Sequence, residues 1–354
     1  MKITQKSFGK TAQGIETTLF TLTNANGMTV SFTDFGANIV SIIVPDSQGK
    51  VADINLGYNG IVGYDGENAP GFGSLIGRNA NRIADAKFEL NGKVYELEKN
   101  DGTNNLHAGS TSYNKYMYET EVYEDEDVIS VEFSRLSPHM EQGFPGNLDI
   151  TVTYSLTENN ELVLEYHAVS DRDTIVNLTN HSYFNLAGHN SGDVLNHKLW
   201  LKASQFTPTD DRLIPTGQLL EVKGTPMDFT TFKTIGQDIN ADYEPLKIAG
   251  GYDHNYVLDI SGTEVERVAE LIEETSGRKM EVFTDLPGMQ LYTGNFLNPG
   301  PNCKDDAEYH KRSGICFETQ YFPNSCNTPA FPSCMLKAGK ELDTVTIYKF
   351  STIS

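Results

Sequence analysis

Residues 148–166 read LDITVTYSLTENNELVLEY, and they contain two predicted strands with a turn between them. Apolar side chains occupy every second position from Leu148 to Leu156, and Asp, Thr and Ser occupy the positions between. Because successive side chains of a strand point to opposite faces, this period of two predicts a strand with one face in a core. Residues 158–160 are typical of a turn, and residues 162–166 then return as an antiparallel partner.

The same hairpin pattern recurs along the chain. Residues 87–97 place Asn91-Gly92 between two short alternating segments, and this dipeptide supplies the positive φ angles of a tight type I′ turn. Residues 128–133 and 345–350 are further predicted strands. The 31 Gly and 14 Pro are spread over all 354 residues, with no linker, charge block or repeat that would separate two domains. We therefore expect an all-β fold, one large antiparallel β-sandwich.

One segment, residues 265–283, fits two structures. Val265, Val268, Ala269, Leu271 and Ile272, among several Glu, have the spacing of a short amphipathic helix. The same residues also fit a strand that turns at Ser276-Gly277 and returns through residues 280–283. Periodicity alone does not decide between them.

The charge of the chain limits its partners. Lys and Arg number 27 against 48 Asp and Glu, which gives a formal net charge of −21. Such a surface repels phosphate backbones and anionic lipids, so we expect no nucleic-acid and no membrane partner and favour a neutral small molecule. Residues 1–11 are polar, and no apolar run has the length of a spanning helix, so we expect a cytoplasmic protein.

Four cysteines lie near the end of the sequence, at Cys303, Cys316, Cys326 and Cys334. No two of them form a Cys-x-x-Cys pair, which argues against a zinc site. A disulfide framework belongs to oxidising compartments, which the polar start of the chain does not indicate. We expect reduced, partly buried thiols and no metal.

The segment 175–186, IVNLTNHSYFNL, is unusual for a strand. In a regular strand, Val176, Leu178, Phe184 and Leu186 share one face, and Asn177, Thr179, His181, Tyr183 and Asn185 share the other. An ordinary solvated face carries Lys, Glu and Thr more often than this set. Compact hydrogen-bonding groups around a histidine instead favour a face that holds a hydroxyl-rich ligand.

A second candidate segment runs from Gly314 to Tyr321, GICFETQY. Ile315 and Phe317 are predicted to face the core, and Glu318 and Gln320 share the opposite face. Glutamate is depleted in strands, so Glu318 lies either on a solvated face or in a functional position. The segment itself favours neither.

Other motifs carry less information alone. The Gly-rich run 71–76 lacks the spacing, the following helix and the later acidic residue of a dinucleotide site. Residues 104–109 and 250–255 place His107 and an Asp253-His254 pair among turn formers, which by themselves indicate turns. No metalloprotease, nucleophile-elbow or EF-hand motif is present, which gives no support to metal or acyl-transfer chemistry.

Six segments together resemble the aldose 1-epimerases, the galactose mutarotases, and they occur in that family's order. They are GRNANRIA (77–84), NNLHAG (104–109), TNHSYFNLAG (179–188), GYDHNYVL (251–258), PGMQLYTGNFL (287–297) and ETQYFPNSCNTPAFPS (318–333). The resemblance implies a single domain over residues 1–354, a distorted antiparallel β-sandwich with few or no helices. It also implies an open groove for a monosaccharide, no cofactor, and a β-hairpin over residues 265–283.

The resemblance further implies roles for individual residues. Glu318 is similar to the family's general base, which takes the proton of the anomeric hydroxyl, and His181 to the general acid, which protonates the ring oxygen. His107 would assist near that oxygen. Sugar-binding positions are matched by Asn81, Arg82, Asp253 and Gln290, and Ser182 and Tyr183 adjoin the acid. Ala108 and Asn324 depart from the pattern, where the family often has Gly and Asp, at positions that transfer no proton.

The activity this implies is interconversion of the α and β anomers of free aldoses, galactose and glucose, within hexose and galactose metabolism. We expect an ionised Glu318, a protonated His181, and a monomer or weak homodimer. Three alternatives stay open: a carbohydrate-binding module without turnover, a glycosidase that uses Asp253 with Glu318, and a sugar-phosphate mutarotase. The last would need more basic groups in the groove than Arg78 and Arg82 supply.

Overall fold

A computed structural model describes residues 1–66 and 70–353. The strands, in chain order, are β1 (Lys2–Lys10), β2 (Glu16–Thr23), β3 (Thr29–Thr33), β4 (Asn38–Pro45), β5 (Val51–Asp53), β6 (Ser74–Ile76), β7 (Arg82–Ile83), β8 (Lys87–Leu90), β9 (Lys93–Glu96), β10 (Asn105–Leu106), β11 (Glu119–Glu124), β12 (Val128–Ser137), β13 (Leu148–Thr157), β14 (Glu161–Ser170), β15 (Thr174–Ile175), β16 (Thr179–His181), β17 (Lys198–Leu201), β18 (Gln205–Phe206), β19 (Leu220–Glu221), β20 (Lys233–Thr234), β21 (Asp253–Val257), β22 (Glu266–Glu273), β23 (Arg278–Thr284), β24 (Gly288–Tyr292), β25 (Cys316–Gln320), β26 (Met335–Leu336) and β27 (Glu341–Thr352). The described part of the chain has two short α-helices, α1 (Ile61–Asp65) and α2 (Glu244–Ala249).

Three sheets make up most of the fold. Strands β1 to β5 form a five-stranded meander, and nine strands follow the order β11-β12-β13-β14-β27-β23-β22-β17-β20. A second five-stranded sheet has the order β19-β18-β21-β24-β25. All pairings between these strands are antiparallel, so the predicted all-β antiparallel architecture is confirmed.

The core lies between the sheets. Phe32 of the first sheet packs edge-on against Phe133 and lies 5.0 Å from the ring of Tyr154, and the last two belong to the nine-stranded sheet. On another part of that sheet, the Tyr348 hydroxyl donates to the carbonyl of Phe317 in β25 at 3.0 Å. The nine-stranded sheet therefore packs against both five-stranded sheets.

The hairpin predictions are confirmed. β13 and β14 pair from Leu148–Ser170 to Leu156–Leu162, and the alternate apolar residues of β13 are buried. β8 and β9 join through Asn91 and Gly92, whose φ angles of 54° and 75° are those of a type I′ turn. The ambiguous segment 265–283 is the hairpin of β22 and β23.

The prediction of a regular strand over residues 175–186 is wrong. The segment changes partners along its length: Ile175 pairs with Met335, β16 pairs with β6, and Phe184 bridges Asn55 and Ile315. Its asparagine side chains bond backbone groups where the strand pairing is interrupted. Asn177 accepts from the N–H and donates to the C=O of Tyr321, and Asn185 donates to two carbonyls. The polar row is therefore not one continuous ligand-facing surface.

No helix among the described residues has the length and apolar character needed to cross a membrane.

Candidate active site

A hollow of about 210 Å³ lies on one face of the second five-stranded sheet, over β21, β24 and β25. Eight of the nine predicted site residues line it, and they are Asn81, Arg82, His107, His181, Tyr183, Asp253, Gln290 and Glu318. Apolar side chains complete the wall, among them Pro70, Tyr292 and Leu297. The hollow thus combines a few polar groups with aromatic and aliphatic surface, as small-molecule sites do.

Neighbouring strands β21, β24 and β25 supply the acidic side of the hollow. Gln290 lies directly across the ladder from Glu318, and its amide donates to Asp253 Oδ1 at 2.6 Å. Behind them, the Gln320 amide donates to Asn255 Oδ1 at 3.2 Å and lies 3.5 Å from Gln290 Oε1. Strand registry therefore holds two carboxylates at fixed positions on one face of the sheet.

His181 reaches the same hollow from β16. Its Nε2 lies 3.5 Å from Glu318 Oε1, and its Nδ1 lies 3.5 Å from the sulfur of Cys316. The ring of Tyr183 lies against the imidazole at a centroid distance of 4.9 Å, while the Tyr183 hydroxyl donates to the carbonyl of Pro70. The turn before β6, the partner of β16, requires Gly73, because a Cβ there would overlap the Ile39 carbonyl oxygen.

The opposite wall is built from β7 and β10. The Asn81 N–H donates to His107 Nδ1 at 3.1 Å, which leaves His107 Nε2 to carry the proton of the neutral ring and face the hollow. The Arg82 guanidinium donates to Asp101 at 2.8 Å. Asn81 and His107 both have positive φ angles, 61° and 38°, which is backbone strain of the kind found at functional sites.

Burial favours the neutral forms of the titrating groups. It raises the pKa of Glu318 well above its usual range, and the charge of Asp253 adds to this while Arg82 opposes it. It also lowers the pKa of His181 to about 4. These directions place the shared proton on Glu318 rather than His181, which differs from the expected ionised Glu318 and protonated His181. The two arrangements hold the same number of protons and differ by a transfer between atoms 3.5 Å apart.

Two side chains are placed differently from the sequence-based interpretation. Ser182 does not line the hollow: its hydroxyl is buried and donates to Asn180 Oδ1 at 2.7 Å, so its position does not support sugar contact. Arg78, which the sequence predicts as a basic group of the groove, is instead fully buried and donates to the carbonyls of Pro145 and Gly146. Among the residues that the structure describes, Arg82 is therefore the one Lys or Arg that lines the hollow.

The residues that depart from the family pattern lie at supporting positions. Asn324 accepts a hydrogen bond from the N–H of Ala84, and its own N–H donates to the carbonyl of Arg82. Ala108 follows His107 with a φ angle of 55°, a conformation that glycine adopts more readily. Both residues shape the backbone around β7 and β10.

One set of side chains at the hollow could hold a metal ion. His107, His181 and Glu318 each offer one ligand atom, and these atoms lie within 4.8 Å of one another. Two imidazoles and one carboxylate suit Zn²⁺ and related cations. The absence of a metal and of a cofactor stays a prediction.

Comparison with known proteins assigns the chain to a family. The family model described as aldose 1-epimerase matches residues 18–349. The chain belongs to the aldose 1-epimerase family. The galactose mutarotase of Bos taurus is 39% identical over 352 residues, with 99% of each chain covered. The aldose 1-epimerase of Escherichia coli K12 is 36% identical over 334 residues, with 94% of each covered.

Solved structures agree with this family assignment. The galactose 1-epimerase of Lactobacillus acidophilus superposes with a TM-score of 0.88 at 25% identity, and the alignment covers both chains completely. An aldose epimerase homologue from C. elegans gives a TM-score of 0.83 at 28% identity and covers 94% of this chain and 98% of that one. The predicted fold class and the predicted isomerase class are confirmed for this chain.

Proposed function

We propose that this member of the aldose 1-epimerase family interconverts the α and β anomers of free galactose and glucose by opening and reclosing the pyranose ring. The observation that carries the proposal is the opposed pair at the hollow, Glu318 Oε1 and His181 Nε2 at 3.5 Å. Ring opening removes a proton from O1 and adds a proton to O5, which are neighbouring atoms on the same carbon. A carboxylate and an imidazole this close can serve both oxygens at once.

Glu318 and His181 together supply and take back every proton that the reaction moves. When O1–H donates to Glu318 and O5 accepts from His181 Nε2, the sugar favours the carboxylate and imidazolium forms over the neutral pair. Glu318 then takes the O1 proton, the C1–O5 bond breaks, and His181 gives its proton to O5. Rotation about C1–C2 and the reverse transfers close the ring on the other face. Each turnover leaves the pair with the proton it started with.

Other lining residues position the sugar. Arg82 is fixed by Asp101 and Asp253 by Gln290, so both present charged atoms to hydroxyl groups at low conformational cost. We infer that these residues, with Asn81, orient the pyranose so that O1 faces Glu318. We infer that His107 donates from Nε2 near the ring oxygen, and the 5.2 Å between its ring and that of His181 supports this.

We extend the proposal to the setting of the enzyme. Residues 1–354 would form one catalytic domain, because side chains from all three sheets share one hydrophobic core. The protein would act in the cytoplasm, in hexose and galactose metabolism, as a monomer or weak homodimer without a nucleic-acid or membrane partner. The net charge of −21 supports a neutral substrate.

Polarimetry on freshly dissolved α-galactose tests the proposal. The protein should accelerate mutarotation, and Glu318→Gln and His181→Asn should each reduce kcat by roughly 10²–10⁴-fold. An exposed pair of similar geometry, Glu308 and His310 at 3.3 Å, provides matched controls. Glu308→Gln and His310→Asn should leave the rate unchanged. Near-wild-type rates in the Glu318 and His181 variants would refute the assignment.

The same assay separates the alternatives. A binding module would bind sugar without changing the rate of optical rotation. A glycosidase would release the aglycone from a nitrophenyl glycoside, and a sugar-phosphate mutarotase would act faster on a hexose 6-phosphate than on galactose. We expect activity on galactose and glucose and none on the glycoside.

A further inference from the structure

Cys316 lies behind the imidazole of His181. It precedes Glu318 by two positions in β25, so both side chains project from the same face of the strand. The thiol is completely buried, and its sulfur lies 3.5 Å from His181 Nδ1. The two nitrogens of His181 therefore have different neighbours, a sulfur on one side and a carboxyl oxygen on the other.

We propose that the sulfur of Cys316 accepts a hydrogen bond from His181 Nδ1–H and so fixes the imidazole tautomer in which Nε2 exchanges the catalytic proton. Cys316 is then a positioning residue that acts through His181. This inference rests on the proposed function, because it assigns His181 Nε2 to the ring oxygen of the sugar.

The direction of this hydrogen bond follows from what Nε2 must do. In the neutral pair, the proton on Glu318 needs an acceptor, and Nε2 is the nearest imidazole nitrogen at 3.5 Å. Nε2 accepts only when the ring proton is on Nδ1. After His181 gives its proton to the sugar, the same tautomer remains and can take the proton back. In the opposite tautomer Nε2 already carries the ring proton. It could then accept neither the proton of Glu318 nor the proton that returns from the sugar.

A thiol suits this position because it is a weak and uncharged acceptor. Burial, and then the charges of Glu318 and Asp253, raise the pKa of Cys316 well above its usual range, so the sulfur stays protonated. A carboxylate there would stabilise imidazolium and make Nε2 a poorer acid. A sulfur orients the ring and leaves Nε2 acidic enough to protonate an ether oxygen.

The other titratable groups around the ring do not compete for Nδ1. They are Glu318, His107, Tyr183, Tyr292, Asp253 and Arg82. Glu318 lies at Nε2, and the rings of His107 and Tyr292 meet the imidazole edge to face. In the part of the chain that the structure describes, Cys316 is the side chain in hydrogen-bond contact with Nδ1.

The test is the tautomer of His181 in ¹⁵N-histidine-labelled protein, assigned with His181→Asn. At neutral pH we expect Nδ1 to be protonated and Nε2 unprotonated in the wild type and in Cys316→Ser, whose hydroxyl can also accept. Cys316→Ala should show a mixture of the two tautomers. Cys334→Ala removes another buried thiol and should leave the His181 signals unchanged. A protonated Nε2 in the wild type, or an unchanged tautomer in Cys316→Ala, would overturn the proposal.

Kinetics supply a second readout. Cys316→Ala should lower kcat about tenfold with KM changed less than about twofold, because the tautomer affects proton transfer and not binding. Cys316→Ser should restore most of the rate, and a Ser variant as slow as Ala would count against the proposal. The tautomer is measured without turnover. An inactive wild-type enzyme would therefore refute the proposed function while the NMR spectrum still decides the role of Cys316.

Discussion

His181 Nε2 and Glu318 Oε1 lie 3.5 Å apart, although the two residues come from different sheets. β16 brings the imidazole and β25 brings the carboxyl group, and neither residue is more than 6% exposed. In the proposed mechanism the pair is one titrating unit, and its working state holds a single transferable proton.

This unit determines the pH dependence of the activity. With one proton on Glu318, a second proton can only go to His181, whose pKa burial lowers to about 4. We expect kcat/KM to fall on the acid side near pH 4, because the doubly protonated pair has no base. On the alkaline side it falls when Glu318 loses its proton, above the usual carboxyl range. Polarimetric rates, corrected for spontaneous mutarotation, check this, and an acid limb near the ordinary histidine pKa of about 6.5 would contradict it.

Arg82 should act on binding more than on chemistry. Its guanidinium lines the hollow, is fixed by Asp101, and opposes the rise in the pKa of Glu318. Arg82→Met should raise KM about tenfold or more, since a hydrogen bond from a charged group contributes roughly 1.5–3 kcal/mol. The alkaline limb of kcat/KM should also move to higher pH. Arg212→Met, which removes an exposed guanidinium paired with Asp85, is the matched control and should change neither quantity.

Strand periodicity explains which parts of this fold are predictable from sequence. The hairpins at 87–97 and 148–166 depend on local alternation and turn chemistry, and both form as expected. Residues 175–186 do not form one strand, because the segment pairs in turn with β26, with β6 and, through three isolated bridges, with Asn79, Asn55 and Ile315. Those partners are far apart in the sequence, so no local pattern encodes them.

The candidate site divides in the same way. Motifs point to residues with chemistry of their own, such as His181, Glu318 and Asp253, and the structure brings these together. A motif does not give the direction in which a side chain points. The motif therefore predicts Ser182 at the sugar, whereas its hydroxyl donates to Asn180. Cys316 shares the predicted face of Glu318, opposite the predicted core face, but no motif gives a cysteine there a role, and the contact to Nδ1 is what distinguishes it.

Buried histidines should make the stability of the fold depend on pH. Burial lowers the pKa values of His197 and His254 to about 4, below the value of about 6.5 in an unfolded chain. Between these values the unfolded chain binds more protons, so stability is fully present above pH 6.5 and is lost as the pH falls toward 4. The urea midpoint should therefore decrease over this interval.

A variant isolates one of these histidines. His197 Nε2 accepts the N–H of Leu186 at 3.0 Å, and the amide oxygen of His197→Gln can replace that acceptor without titrating. The urea midpoint of His197→Gln should change less between pH 6.5 and 4 than that of the wild type. His310→Gln, at an exposed position, should follow the wild-type curve. Parallel curves for His197→Gln and the wild type would contradict this account.

The convergence of His107, His181 and Glu318 predicts inhibition by Zn²⁺. Their ligand atoms lie within 4.8 Å of one another, so a modest approach would bring them around one ion. The ion would bind the side-chain atoms that the proposed mechanism assigns to the anomeric centre of the sugar. Inhibition should therefore be competitive with galactose and reversed by a chelator. Mg²⁺, which prefers oxygen ligands, should not inhibit at the same concentration. His107→Ala should weaken Zn²⁺ binding measured by calorimetry, whereas His139→Ala, outside the hollow, should not. Noncompetitive inhibition, or equal Zn²⁺ affinity in the two variants, would show that the ion binds elsewhere.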